Sequence, residues 1–257
     1  MILLKSQKEI QIMAENGRLL AQIMKETSKR VVPGAKAKEL DELAEELILK
    51  EGAEPSFKNY TDPNLKTSVP FPAVLCVSIN EEIVHGIPND KILRSGDIVS
   101  LDLGLKKNGF HSDMAVTLGI GDMDSEAARL IRVTKKVLKL AVKKAKIGNT
   151  FGDIGNTIQR YAQSQGFDVA RELCGHGVGR QLHEKPEILN YGKRKTGLKI
   201  ELGMVFCLEP MLVMGDWRIK KGKDGFSWTT KDDSLSAHFE HTIAITEKGP
   251  KILTKTE

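Results

Sequence analysis

Four acids and three histidines, Asp102, Asp113, Glu209, Glu240, His85, His176 and His183, are the side chains whose types and surroundings point to chemistry. The acids interrupt apolar, strand-like runs, where an uncompensated charge is costly to bury. Taken singly, each has a bland explanation, such as a solvated charge at a strand end or a satisfied histidine. Together the carboxylates carry about four negative charges, which two divalent cations would balance. Mostly oxygen donors with one or two imidazoles suit Mn, Fe, Co or Zn better than a thiolate site would, and no cysteine is assigned to the set. Two such ions about 3.5 to 4 Å apart can bridge a hydroxide and polarise a carbonyl, which is hydrolytic chemistry.

The elements that must position these groups start with the stretch Gly96 to Gly121, GDIVSLDLGLKKNGFHSDMAVTLGIG. Two apolar, β-branched-rich runs flank the turn-forming Lys107-Asn108-Gly109, a hairpin signal. A fold between Lys107 and Asn108 sets Asp102 directly opposite Asp113, with Cβ atoms about 4.5 to 5.5 Å apart. Repulsion at that distance keeps one carboxyl protonated or demands a cation. The two-residue period assigns Ser100, Asp102, Gly104, His111, Asp113, Ala115 and Thr117 to one face. Val99, Leu101, Leu103, Met114, Val116 and Leu118 form the dry back.

The remaining elements repeat. Ser6 and Glu9 match a capping box, and Ile10, Met13, Gly17, Leu20 and Met24 predict a helix from about residue 7 to 29. Val32-Pro33-Gly34 ends it, and a second helix carrying Leu40, Leu43, Leu47 and Ile48 stops at Gly52. Residues 54–72 are mostly loop, and Val74 to Ile79 is a short strand. After Gly121 the pattern restarts with a helix over Ser125 to Lys146, then one holding Ile154, Ile158 and Tyr161 that stops at Gly166. Gly34 to Gly52 and Gly148 to Gly166 have the same spacing, His85-Gly86 answers His176-Gly177, and Gly96 precedes Asp102 as Gly203 precedes Glu209. The chain reads as one domain over 1–257, with pseudo-repeats about 1–121 and 122–257 whose acid-bearing faces converge on a shared cleft.

Composition agrees with a globular enzyme. Forty per cent hydrophobic and 28 % charged residues allow a substantial core, and the net charge of +5 is too mild to imply nucleic-acid binding. Cys76, Cys174 and Cys207 have no disulfide-framework spacing, which fits a reducing cytoplasm. The start MILLKSQKEI lacks a signal-type apolar core, and no run is long enough to span a membrane.

The runs SINEEIVHGIP (78–88), GDIVSLDLG (96–104), HSDMAVT (111–117), CGHGVGRQLHE (174–184), CLEPM (207–211) and SAHFEHT (236–242) resemble those of type I methionine aminopeptidases, in order and along essentially the whole chain. The resemblance implies the α/β (α+β) pita-bread fold, in which two pseudo-symmetric halves enclose a dinuclear metal site. It makes Asp102, Asp113, His176, Glu209 and Glu240 the ligands of two divalent ions (Co, Mn, Fe or Zn), with Asp113 and Glu240 bridging. It places His85 and His183 on the substrate. It also implies removal of the initiator methionine from nascent chains, by a metal-bridging water that Glu209 helps to deprotonate. The residues alone did not separate His176 from the other two histidines. The methionine pocket implied comprises Leu65, Phe71, Cys76, Leu182 and Phe226, with Trp228 on the same strand face as Phe226, and a small second residue is preferred. Phe71 and Phe226 stand where the family more often has tyrosine and tryptophan, and Val84 stands where it often has cysteine.

Two rivals are weighed beside this reading. An X-Pro aminopeptidase or dipeptidase of the same fold usually carries a long N-terminal domain, for which the chain has no room. A catalytically dead binding protein would be expected to lose ligands, yet all five are present. The minimal, bacterial-type chain is expected to act as a cytoplasmic monomer on N-terminal methionine, with Lys193-Arg194-Lys195 as the candidate ribosome contact.

Overall fold

The computed structural model describes residues 2–61 and 69–256. It starts on the predicted cap: the Ser6 hydroxyl accepts from the Glu9 amide at 3.3 Å, while the Glu9 carboxylate accepts from the Ser6 amide at 2.9 Å. Helix α1 (Gln7–Ser28) follows, then α2 (Ala37–Lys50) and strands β1 (Glu54–Pro55), β2 (Leu75–Ile79), β3 (Glu82–Val84), β4 (Ile98–Lys107) and β5 (Phe110–Gly119). The second half holds α3 (Ser125–Lys144), α4 (Phe151–Ser164), β6 (Asp168–Val169), β7 (Cys174–Gly177), β8 (Glu184–Leu189), β9 (Val205–Leu208) and β10 (Met211–Val213). It closes with β11 (Ile219–Lys221), β12 (Trp228–Thr230), β13 (Ser236–His238), β14 (His241–Thr246) and β15 (Gly249–Ile252). Among the described residues, no helix is long and apolar enough to cross a membrane.

Two antiparallel sheets carry the site. In the first half β4 lies between β1 and β2 and also pairs with β5; in the second the order is β15-β14-β9-β7-β8. Helices cover the apolar face of each. Leu20, Met24, Leu40 and Ile48 of α1 and α2 pack on Val99, Leu101, Leu103 and Met114. Leu130, Val137, Ile154 and Ile158 of α3 and α4 pack on Phe206, Leu208 and Ile243. The dry back predicted for the hairpin is thus the face against which the helices close.

The repeat persists in backbone detail. Both short helices have 14 residues and begin three residues after a glycine with positive φ, +92° at Gly34 and +90° at Gly148. They end near Gly52 (+64°) and Gly166 (+77°), and Gly96 (+95°) and Gly203 (+85°) turn the chain six residues before an acid. Such angles strain any side chain with a Cβ, so six glycines mark the same corners twice.

The hairpin register differs from the expected one. Lys107 pairs with Phe110 across a two-residue Asn108-Gly109 turn, with φ of 53° and 79°, so Asp102 lies opposite Ala115 and Asp113 opposite Gly104. Asn16 of α1 secures that turn, its amide donating to the carbonyls of Lys107 (2.7 Å) and Phe110 (3.0 Å). The aspartates are therefore diagonal neighbours rather than directly opposed. Because the correction moves the pairing by an even number of residues, both stay on the predicted face.

Where the halves meet, two threonines stand in for ladder bonds. The Thr117 hydroxyl donates to the His238 carbonyl (2.6 Å) and accepts from its amide (2.8 Å), and Thr242 makes the same pair of bonds to Asp113, at 2.8 and 3.0 Å. Between them the Glu240 amide donates to the Ala115 carbonyl at 2.9 Å. This antiparallel seam sets Asp113 and Glu240 side by side.

Candidate metal centre

The seam and the two sheets bring all four acids to one buried place. Asp102, Asp113 and Glu240 are 9 %, 3 % and 2 % exposed, which rules out solvated surface carboxylates. Among the described residues Asp102 Oδ1, Asp113 Oδ1 and Glu240 Oε1 have no hydrogen-bond partner, and no lysine or arginine forms an ion pair with any of the four. Burial pushes the Asp102 carboxyl up to about 7. Burial, then the mutual repulsion of the acids, holds Asp113, Glu209 and Glu240 well above the usual carboxylate range. Orphaned oxygens, repelling carboxyls and a nearby imidazole fit divalent cations, which would return these groups to the ionised form.

His176 enters from β7, its Nε2 3.9 Å from Asp113 Oδ2 and 3.6 Å from Glu209 Oε1. Its Nδ1 lies 2.9 Å from the Gly177 carbonyl, which can only accept, so Nδ1 carries the proton and Nε2 presents a bare lone pair. Burial and the neighbouring His183 pull its pKa to about 3. The His183 ring packs edge-on against His176 with centroids 4.3 Å apart, but its Nδ1 meets the Tyr60 hydroxyl at 2.6 Å. A phenol is the better donor of that pair, and a Tyr60 hydroxyl donating there would leave the His183 proton on Nε2. With that donation the two imidazoles differ in tautomer, one suited to hold a metal and the other to donate. His183 and His85 are both open to solvent, and His85 sits just after β3 with φ of 59°.

The loop that carries His183 is held from three sides. The His111 amide donates to the Gly179 carbonyl at 2.8 Å, the Arg180 guanidinium lies over the Phe110 ring, and Lys5 Nζ contacts Glu184 Oε2 at 2.5 Å with both side chains nearly inaccessible.

Of the expected pocket, Phe71, Cys76 and Leu182 gather in one apolar cluster with Phe57 and Ala73, and Phe226 packs against it. Phe71 and Phe226 meet edge-on at 5.6 Å. Trp228 is not brought into that cluster. Phe226 precedes β12 in a turn held by the Asp224 carboxylate, whereas Trp228 pairs with Val84 and packs with Ile83 and Met211. Leu65 lies outside the described residues.

Three groups near the site were not singled out from sequence. Ligand atoms of Asp113, His176, Glu240 and Cys207 all lie within 4.8 Å of one another, so a cysteine stands beside the set although none was assigned to it. Burial and the adjacent carboxylates push the Cys207 thiol well above its ordinary pKa, so it is a neutral S–H. His238, from β13, places Nε2 3.7 Å from Glu209 Oε2. Cys207 and His238 each stand two positions before a site acid, Glu209 and Glu240, a spacing that in strand-like chain points both toward the same side. Tyr60 carried no such signal, because its contact with His183 joins segments far apart in sequence.

The profile of metallopeptidase family M24 matches residues 11–247. A methionine aminopeptidase of Clostridium perfringens is 44 % identical over 254 residues, covering 99 % of both chains. The crystal structure of methionine aminopeptidase from Thermotoga maritima superposes with a TM-score of 0.94 at 43 % identity, covering 99 % of this chain and 100 % of that one. A prolidase from Pyrococcus furiosus aligns with a TM-score of 0.78 at 25 % identity, and this chain covers 66 % of it.

Proposed function

We infer the reaction from one premise: the chain belongs to the methionine aminopeptidases of metallopeptidase family M24. It has the pita-bread fold and is a metallo-exopeptidase that removes initiator methionine. The finer assignment rests on the buried, unpartnered carboxylate oxygens around a bare imidazole nitrogen. Asp102, Asp113, His176, Glu209 and Glu240 would hold two divalent ions, Co, Mn, Fe or Zn, with Asp113 and Glu240 shared between them. When bound, the ions supply Lewis acidity toward the scissile carbonyl and draw the pKa of water toward neutrality.

The protein groups supply the remaining chemistry. Glu209 accepts the proton released by the attacking water. His183, carrying its proton on Nε2, donates to the oxygen on which charge develops, and His85 hydrogen-bonds the departing amide from the solvent side. The methionine side chain enters the cluster of Phe71, Cys76, Leu182 and Phe226, whose adaptable apolar surface suits an unbranched thioether. Preference for a small second residue is a steric limit near this mouth. Since ligands come from both halves, the catalytic unit is one domain over 1–257, acting as a monomer in the reducing cytoplasm, a compartment suited to three unpaired cysteines. The exposed loop Lys193-Arg194-Lys195 is the ribosome contact, and charge reversal there is expected to weaken co-sedimentation without altering tripeptide hydrolysis.

The deciding assay is amino-acid release from Met-Ala-Ser by chelated protein and by protein reloaded with Mn, Co, Fe or Zn, with Leu-starting and Met-Pro peptides as controls. Metal-dependent release of methionine alone is expected. Two bound ions without cleavage would point to X-Pro bonds, and absence of binding to a non-catalytic role.

A further inference from the structure

His238 is buried, 1 % exposed, and among the described residues neither of its ring nitrogens has a hydrogen-bond partner. A neutral imidazole always carries one N–H, and burying that donor unpaired is unfavourable. The Thr117 hydroxyl grips both the amide and the carbonyl of His238, and is itself 2.8 Å from the Ser100 hydroxyl, so the backbone beneath the ring is fixed. From there Nε2 stands 3.7 Å from Glu209 Oε2, slightly beyond a hydrogen bond, while the other oxygen, Oε1, stands 3.6 Å from His176 Nε2. The Glu209 carboxylate therefore lies between two imidazoles. His176 can offer it no proton, because its N–H is committed to the Gly177 carbonyl.

We propose that His238 is a positioning residue for Glu209: its Nε2–H donates to Oε2, fixes the plane of the carboxylate, and leaves Oε1 turned toward the His176 side of the site. A small rotation of the Glu209 side chain closes the remaining distance, as occurs when a carboxylate settles onto a cation. The arrangement is the common one in which a group outside the ligand set orients a ligand, and its removal costs about 10- to 100-fold in metal affinity or activity. The proposal rests on the reading of Glu209 as ligand and proton acceptor given above.

The test uses the intact protein with His238→Leu, which removes the donor, and His238→Gln, which keeps an N–H at similar reach. Titration of Mn into chelated protein and hydrolysis of Met-Ala-Ser are measured for both. His238→Leu is expected to lose 10-fold or more in Mn affinity or in kcat, with KM changed less than about twofold, and His238→Gln to recover most of that loss. In a Glu209→Gln background, His238→Leu is expected to add little, because the partner is already altered. Imidazole 15N spectra of the Zn-loaded wild type, which need no variant to fold, are expected to show the His238 proton on Nε2. Wild-type behaviour of His238→Leu, failure of the Gln rescue, additivity with Glu209→Gln, or a proton on Nδ1 would each overturn the proposal. A wild-type protein that neither bound Mn nor cleaved the peptide would instead refute the functional reading beneath it.

Discussion

Stripped of metal, this protein should lose stability as the pH rises above 6.5. The carboxyls of Asp113, Glu209 and Glu240 are held well above their ordinary values in the fold, first by burial and then by one another. In the unfolded chain they ionise near pH 4, so above that pH the folded state binds more protons and stability falls as pH rises. Buried histidines work the other way: His176 and His238 are pulled to about 3, so their contribution grows as pH rises and is complete once the unfolded imidazoles have lost their protons near 6.5. Asp102, pushed up to about 7, is half-titrated there and adds to the fall through the same range. Above pH 6.5 the raised carboxyls, Asp102 included, therefore set the slope. Each proton retained only by the folded state costs about 1.4 kcal/mol per pH unit over which it is retained. For a chain of this size that corresponds to a fall in Tm of roughly 3 to 6 °C per pH unit. Scanning calorimetry of chelated and Zn-loaded protein at several pH values reads this directly, and the loaded form should lack the slope. Titration of Zn in buffers of different ionisation enthalpy should also show proton release at pH 7.5. A chelated protein whose Tm is flat or rises from pH 6.5 to 8.5, with no protons released on loading, would refute the repelling, protonated cluster.

Three further outcomes are expected. Asp113→Asn and Glu240→Gln should lose metal and activity together, seen by metal analysis of the dialysed protein, because a neutral amide compensates divalent charge far less than a carboxylate. His183→Ala should keep its metal but lose about 10²-fold in kcat, and Tyr60→Phe, which frees the Nδ1 partner of His183, should lose about 10-fold with little change in KM. Lys5→Met leaves Glu184 buried without its partner and should cost about 3 to 5 kcal/mol in urea unfolding, much of it recovered by adding Glu184→Leu.

What the chain determined by itself was local and periodic. The Ser6–Glu9 cap, the glycine corners, the duplicated short helices and the face that Asp102 and Asp113 share all follow from spacing rules acting within a few residues, and the structure keeps them. The acids were legible because a carboxylate in an apolar strand needs an explanation, and six quoted motifs tied that explanation to a known family. Tertiary structure decided what depends on partners far along the chain. Asn16 of α1 grips the turn of a hairpin some ninety residues away, while the two-residue Asn108-Gly109 turn itself sets Asp113 opposite Gly104. Trp228 left the pocket because its strand pairs with Val84. Above all, His176 and His183 differ in what touches Nδ1, a carbonyl in one case and the Tyr60 hydroxyl in the other. Sequence specifies that an imidazole is present, but its proton goes where a neighbouring acceptor or donor sends it, and only the fold supplies that neighbour.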